Sequence, residues 1–279
     1  MSTEVVWVDG ELVEAGAARV SPFDHGLLVG DGVFETLRVY GGRPFAWRRH
    51  LDRLEHSAAG LGLPLPERSV VQDAARAVLD ANALTEARVR VTVTGGVQPL
   101  GSERRAAPAT LIVAASAVRA VAPSIDVVVV PWVRNERGAV AGLKTISYAE
   151  NVRALAYAQE RGAGEAVFAN TRDELCETTG SNVFVVHDGV VCTPPASAGC
   201  LLGVTRGLVL ELCRGLDIGC AERALPIAAL RDATEAFLTS TVREVQAITA
   251  VDGRALSPGS LTARLAKEFT ALVTRDIDP

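Results

Sequence analysis

The chain has 279 residues, of which 48% are apolar and 22% charged, with a net charge of −5. That length suits two domains of about 120–150 residues each, and that composition buries a real core and excludes wholesale disorder. The acidic balance argues against a nucleic-acid or membrane-surface partner. The longest mostly apolar stretch, 106–118, is broken by Pro108 and is too short to span a bilayer. The opening MSTEVVWVDG is acidic and lacks the pattern of a signal peptide. The five cysteines are an odd number with no Cys-x-x-Cys pair, which predicts reduced thiols and a cytoplasmic location.

Taken in chain order, Val5-Val6-Trp7-Val8, the Asp9-Gly10 turn and Leu12-Val13 read as a hairpin. A strand over 33–40 ends at the Gly41-Gly42 turn. Leu51, Leu54, Ala58 and Leu61 fall at helical spacing and predict a helix over 46–61, with a second amphipathic helix over 67–82. Val89, Val91 and Val93 alternate with Arg88, Arg90 and Thr92, a half-buried strand, and 110–115 reads as a buried one. The first domain is therefore set at 1–115, a Pro123-containing connection at 116–124 and the second domain at 125–279. Within the latter, strands are predicted at 125–130, 165–169, 182–187, 190–193, 236–239 and 244–251, and helices at 148–161, 204–215 and 261–273. Strands that pair by hairpins as well as by crossovers, mixed with helices, make the class α+β with two domains.

Several common chemistries find no motif. The chain has no Gly-x-Gly-x-x-Gly after a strand, no Gly-x-x-x-x-Gly-Lys, no His-Glu-x-x-His and no Gly-x-Ser-x-Gly. Its four histidines are dispersed, so no metal site is expected. One count is sharper: of 28 basic residues only Lys144 and Lys267 are lysines. Lys267 lies beside Arg264 and Glu268 in an amphipathic helix and reads as a solvated surface residue. Lys144 sits among Ala141, Gly142, Leu143 and Ile146, an apolar and open setting; on these residues alone it reads equally as a surface lysine and as an amine kept partly deprotonated.

Four ordered segments carry a resemblance. They are Gly30-Asp31-Gly32-Val33-Phe34-Glu35-Thr36 with His50-Leu51-Asp52-Arg53; Gly142-Leu143-Lys144-Thr145-Ile146-Ser147-Tyr148; Cys176-Glu177-Thr178-Thr179-Gly180-Ser181-Asn182; and Gly203-Val204-Thr205-Arg206 with Thr239-Ser240-Thr241-Val242-Arg243. In this order and at these separations they resemble the fold-type-IV pyridoxal-phosphate (PLP) enzymes: branched-chain aminotransferases, D-amino-acid transaminases and aminodeoxychorismate lyases.

The resemblance implies a small α/β domain, a larger β-barrel-like α/β domain, PLP at the cleft between them, and a homodimer. It makes Lys144 the Schiff-base residue and acid/base, and Glu177 the carboxylate facing the pyridine nitrogen. Arg53, Val204, Thr205 and Thr241 become the phosphate ligands, and Tyr148 a partner of the cofactor's phenolic oxygen. A protonated pyridine and a dianionic phosphate call for these residue types, since an opposing carboxylate holds the ring proton while a guanidinium and a helix N-terminus bind the anion.

For the substrate, the candidate contacts are Phe34, Arg38, Arg90, Thr239 and Ser240. Arg38 and Arg90 stand open between carboxylate binding and a surface salt bridge. Phe34 replaces a tyrosine of the D-specific branch, and Gly95-Gly96-Val97-Gln98 stands where that branch has an Arg-x-His trap. Val29 replaces a tyrosine of the branched-chain branch. Gly30-Asp31-Gly32 leans towards the D-amino-acid and lyase side. The expected reaction is ping-pong transfer of an amino group between an amino acid, of D configuration, and a 2-oxo acid. The lyase and the branched-chain L-aminotransferase are the alternatives, and an inactive B6-binding relative is disfavoured by intact Lys144, Glu177 and Arg53. The loop over 95–105 is expected to line the partner's pocket.

Overall fold

A computed structural model describes residues 4–279; the first three residues of the acidic opening segment lie outside the described residues. The chain forms two compact units. The first runs up to Arg119 and also takes in Leu143–Ser147 and Ile277–Pro279, and the second comprises Ala120–Gly142 and Tyr148–Asp276. The lysine segment 143–147 thus belongs with the first unit, whereas a division by position along the chain assigns it to the second.

The first unit is built from β1 (Val5–Val8), β2 (Glu11–Glu14), α1 (His25–Val29), β3 (Gly32–Tyr40), β4 (Arg43–Pro44), α2 (Trp47–Leu61), α3 (Arg68–Ala81), β5 (Ala87–Thr94) and β6 (Thr110–Ala117). Its sheet is antiparallel throughout, in the order β2-β1-β6-β5-β3-β4. Period-two alternation decides its faces. Val33, Leu37, Val39, Val89, Val91 and Val113 form a core with Leu51, Leu54 and Ala58 of α2 and Val71, Ala74 and Val78 of α3. The opposite face of β3 carries Phe34, Thr36 and Arg38, whose register partners in β5 are Thr92, Arg90 and Arg88.

The lysine segment joins this unit by backbone pairing. The Phe34 amide donates to the Lys144 carbonyl at 3.0 Å, the Ile146 amide donates to the Gly32 carbonyl at 2.9 Å, and Val33 bridges Thr145. Gly32 is required for that approach, because a Cβ there would stand 2.7 Å from the Val93 carbonyl oxygen and 2.8 Å from Ile146 Cδ1. The five-residue α1 is too short to register as helical periodicity. It is fixed by its ends, the Asp24 carboxylate accepting from the Gly26 amide and Gly30 closing it with a φ of 70°.

The second unit contains β7 (Ser124–Arg134), α4 (Ala149–Gln159), β8 (Glu165–Asn170), β9 (Leu175–Thr178), β10 (Asn182–His187), β11 (Val190–Thr193), α5 (Val204–Gly215), β12 (Cys220–Glu222), α6 (Ala229–Asp232), β13 (Glu235–Ser240), β14 (Glu244–Val251), β15 (Arg254–Ala255) and α7 (Ser260–Arg275). Its mixed sheet runs β12-β11-β10-β13-β14-β7-β8-β9, with β15 paired to β14. The parallel steps are β11–β12, β14–β7 and β7–β8. Val167, Leu175, Val183, Val185, Leu230, Leu238 and Ile248 make its core, and α4 contributes Ala154 and Ala158 to a smaller cluster with Ala166 and Phe168. The two-domain α+β class is therefore observed. Among the described residues no helix is long and apolar enough to cross a membrane.

Candidate active site

In the first unit the chemistry gathers around β3 and α2. The Lys144 backbone amide donates to Ser57 Oγ at 3.0 Å, and Lys144 Nζ lies 4.3 Å from the centroid of the Phe34 ring. The Arg90 guanidinium lies 3.7 Å from the same centroid. One aromatic ring on the open face of the sheet is thus in contact with the amine and with a guanidinium, a favourable placement for both cations. Arg38 is not brought to this group. Its Nη2 pairs with Glu86 at 3.2 Å and its guanidinium lies over Tyr40, at the other end of β3.

Arg53 lies on α2, and its Nε and Nη2 donate to Glu35 Oε1 and Oε2 at 2.7 and 2.8 Å. His50 Nδ1 is 2.7 Å from Glu35 Oε2. An ionised carboxylate only accepts, so this nitrogen carries the hydrogen. Burial opposes charge on Glu35, but the Arg53 guanidinium and His50 outweigh it and hold the carboxyl below the usual carboxylate range. Burial pushes the His50 pKa down, with Arg53 and Lys144 pushing the same way against the pull of Glu35. Sequence reasoning missed Glu35, although its signal is present: an acid occupies a core-facing position between Val33 and Leu37.

The 95–105 loop also belongs to this unit and has its own fixings. Gln98 donates to the carbonyls of Gly95 and Arg105, both at 3.0 Å, and accepts from the Arg105 amide at 2.8 Å. Arg104 donates to both Asp31 oxygens at 3.0 and 2.5 Å and to the carbonyls of Leu61 and Gly62 at the end of α2. His25 Nδ1 stands 3.4 Å from Asp31 as well.

In the second unit Glu177, on β9, accepts from the Leu201 amide at 2.9 Å and faces Arg134 Nε at 3.7 Å. Both neighbours favour the anion. Arg134 is itself held by Asn151 at 2.9 Å, by an ion pair with Glu150, and by the face of Phe168. The Asn182 side chain donates to the Leu201 carbonyl at 2.6 Å, and Asn182 pairs with Thr239 across the sheet. Helix α5 begins at Val204 and Thr205 after Gly203, with no side chain capping its first amides. Thr241 lies in a tight turn in which Ser240 Oγ accepts from the Arg243 amide at 3.2 Å, and Ser240 pairs with Glu244. Tyr148 is half-buried at the start of α4. Leu201 and Arg134 were not visible as site residues in the sequence, because one acts through a backbone amide and the other lies ten residues before the lysine.

Two hydroxyls decide whether PLP suits these residues. Ser181 Oγ and Thr239 Oγ1 are buried and make no hydrogen bond among the described residues. Orphaned hydroxyls beside an uncapped helix start and a carboxylate fit a ligand that brings acceptor oxygens, a phosphate and a basic ring nitrogen. Burial pushes the thiols of Cys200 and Cys213 up to about 12 and also raises that of Cys176, which disfavours the thiolate at all three.

Comparison with known proteins supplies the family. The model of the family described as amino-transferase class IV matches residues 32–251. A branched-chain-amino-acid aminotransferase of Pseudomonas aeruginosa is 31% identical over 286 residues, covering 97% of this chain and 93% of its own. A D-alanine aminotransferase of Listeria innocua is 30% identical over 292 residues, covering 97% and 96%. The crystal structure of a T.th. branched-chain amino acid aminotransferase with pyridoxamine 5'-phosphate superposes with a TM-score of 0.92 at 25% identity, covering 99% of this chain and 95% of that one.

Proposed function

The chain belongs to the class IV aminotransferases, enzymes that act with PLP, and on that premise we propose that Lys144 bonds the cofactor and Arg90 anchors the carboxylate of the amino-acid substrate. The observation that carries this reading is the Phe34 ring, in contact with Lys144 Nζ at 4.3 Å and with the Arg90 guanidinium at 3.7 Å. An amino acid presents its amine and its carboxylate one carbon apart, so a lysine and an arginine against one ring suit its two ends.

PLP, when bound, supplies an electron sink for the pair released at the substrate α-carbon. The residues do the rest. Lys144, its backbone fixed by Ser57 and by β3, would carry the proton from the substrate α-carbon to the C4′ carbon of the cofactor in one half-reaction and back in the other. Glu177, kept anionic by Leu201 and Arg134, holds the proton on the pyridine nitrogen. Arg53, the first amides of α5 at Val204 and Thr205, and Thr241 bind the phosphate. Ser181 and Thr239 offer hydroxyls without a partner among the described residues, and Tyr148 serves the phenolic oxygen.

For the donor we put a branched-chain L-amino acid first. The Pseudomonas and T.th. relatives are named branched-chain amino acid aminotransferases. On the open sheet face Arg90 pairs with Thr36 and Ala114, and the next pairs along are Phe34, Thr92 and Ile112, an environment for a small aliphatic side chain. The D-amino-acid reading rests on Gly30-Asp31-Gly32 and on the Listeria D-alanine enzyme. Asp31, however, is engaged by Arg104 and His25, a role in holding the 95–105 loop that favours neither enantiomer. A homodimer and a reducing cytoplasmic setting complete the proposal, the latter supported by five free cysteines.

The test is a panel of amino donors, both enantiomers of leucine, alanine and glutamate, followed by the cofactor absorbance near roughly 400–430 nm expected of a lysine-bonded PLP. Bleaching by L-leucine supports the first reading, and bleaching by D-alanine alone supports the second. Release of pyruvate from aminodeoxychorismate without amino transfer overturns both. Sedimentation of the loaded protein at the mass of two chains supports the dimer, and sedimentation at one chain overturns it.

A further inference from the structure

We propose that Glu35 is a positioning residue for the cofactor's phosphate, acting by locking the Arg53 guanidinium in one plane. This inference rests on the reading of Arg53 as a phosphate ligand. The carboxylate is fully buried, at 0% exposure, and spans the arginine with two hydrogen bonds of 2.7 and 2.8 Å. The Arg53 side chain keeps 11% exposure, so an outside ligand reaches this pair only from the arginine's side. His50, itself buried, adds a third bond to the same carboxylate at 2.7 Å, and the Thr36 amide donates to it at 3.3 Å.

A buried ion pair seldom stabilises a fold more than apolar residues of the same volume. Every other buried position on this face of β3 is aliphatic (Val33, Leu37 and Val39). An arginine also carries considerable rotamer freedom, which a phosphate would otherwise have to freeze out on binding. A carboxylate on its Nε–Nη2 edge removes that freedom in advance and fixes where the rest of the guanidinium lies. His50, on the same helix three residues before Arg53, holds the carboxylate in turn.

The experiment uses the full chain, freed of cofactor and titrated separately with PLP and with pyridoxal, which has the same ring and aldehyde but no phosphate. Glu35→Gln is expected to weaken PLP binding at least 10-fold while leaving pyridoxal affinity within twofold. Glu35→Gln combined with Arg53→Ala is expected to bind PLP no more weakly than Arg53→Ala alone, since both changes disable one guanidinium. If Glu35→Gln does not fold, Glu35→Asp replaces it. That variant keeps the charge but is too short to span both nitrogens, and it is expected to show a smaller loss confined to PLP. Equal loss of PLP and pyridoxal, or effects that add in the double variant, overturn the role of Glu35 while Arg53 keeps its own. Should Arg53→Ala fail to discriminate the two ligands, the phosphate reading of Arg53 falls, and this inference with it.

Discussion

The hydroxyl of Ser57 accepts a hydrogen bond from the Lys144 backbone amide at 3.0 Å, and Ser57 is wholly buried. A helix of the first unit therefore fixes the backbone of the lysine. Ser57→Ala leaves that amide without its partner at a cost of about 1–3 kcal/mol. The expected outcome is a melting temperature lower by several degrees and a kcat reduced more than KM is raised, read by calorimetry and steady-state rates. Unchanged values of both would show that β3 pairing alone holds the segment.

Gly32→Ala tests the approach of the lysine segment to the sheet. The added methyl meets a backbone carbonyl at 2.7 Å and Ile146 Cδ1 at 2.8 Å, so strand or segment must shift. Overpacking of this kind costs about 1–3 kcal/mol. Denaturant titration should show the loss, together with a weaker absorbance band from lysine-bonded cofactor. Gly101→Ala, where a Cβ meets nothing within 4 Å, should be silent in both.

Arg90 and Arg38 were equivalent candidates in the sequence and are separated by the structure. Arg90→Gln removes the charge-assisted contact proposed for the substrate carboxylate and should raise the amino-acid KM by about 10–100-fold, from the ~1.5–3 kcal/mol that such bonds carry. Cofactor affinity should not change. Arg38→Gln breaks a partly exposed pair with Glu86 and should leave KM within about twofold, as pairs of this kind contribute little. Steady-state kinetics on the best donor decide the matter.

Acid should destabilise the protein in two stages. His50 has a folded pKa lowered by burial, so the unfolded chain takes up its proton first and stability falls as pH drops below about 6.5. Glu35 is held below its ordinary range by Arg53 and His50, which together outweigh burial. Its contribution is complete at neutral pH and is lost as pH falls below about 4.3. Melting curves from about pH 8 to about pH 2 should show both losses, that of His50 first and that of Glu35 only in the acid part of the range. In His50→Gln the decline between pH 7 and 5.5 should flatten, and a slope equal to that of the parent would contradict this assignment.

Much of the architecture is written plainly in the chain. The alternation of Val89, Val91 and Val93 with arginines becomes a strand with its valines buried, and the spacing of Leu51, Leu54 and Ala58 becomes the inner face of α2. Lys144, Arg53 and Glu177 stood out through motif order and the scarcity of lysine. What remained hidden depends on long-range contact. The lysine segment lies past residue 140 and yet pairs with β3, because its amides fit the edge of that strand better than its place in the chain suggests. β9, at four residues, is too short to display a period and exists through its pairing with β8. Leu201 serves Glu177 by a backbone amide, a role to which the side chain gives no clue.

Glu177→Gln keeps the size of the side chain and removes the negative charge proposed to face the ring nitrogen. Its amide is expected to lower kcat by on the order of 100-fold or more, the scale typical of a misplaced proton at a reacting centre. Cofactor content should stay close to that of the parent, measured by absorbance after denaturation. Full activity in this variant would remove Glu177 from the mechanism.

The covalent attachment proposed at Lys144 is tested most directly by borohydride reduction of the loaded protein followed by tryptic peptide mapping. The chain has two lysines, and a modified Lys144 blocks trypsin, so residues 138–153 should appear as one intact peptide carrying the reduced cofactor. A label on Lys267, or no label on either lysine, would contradict the account.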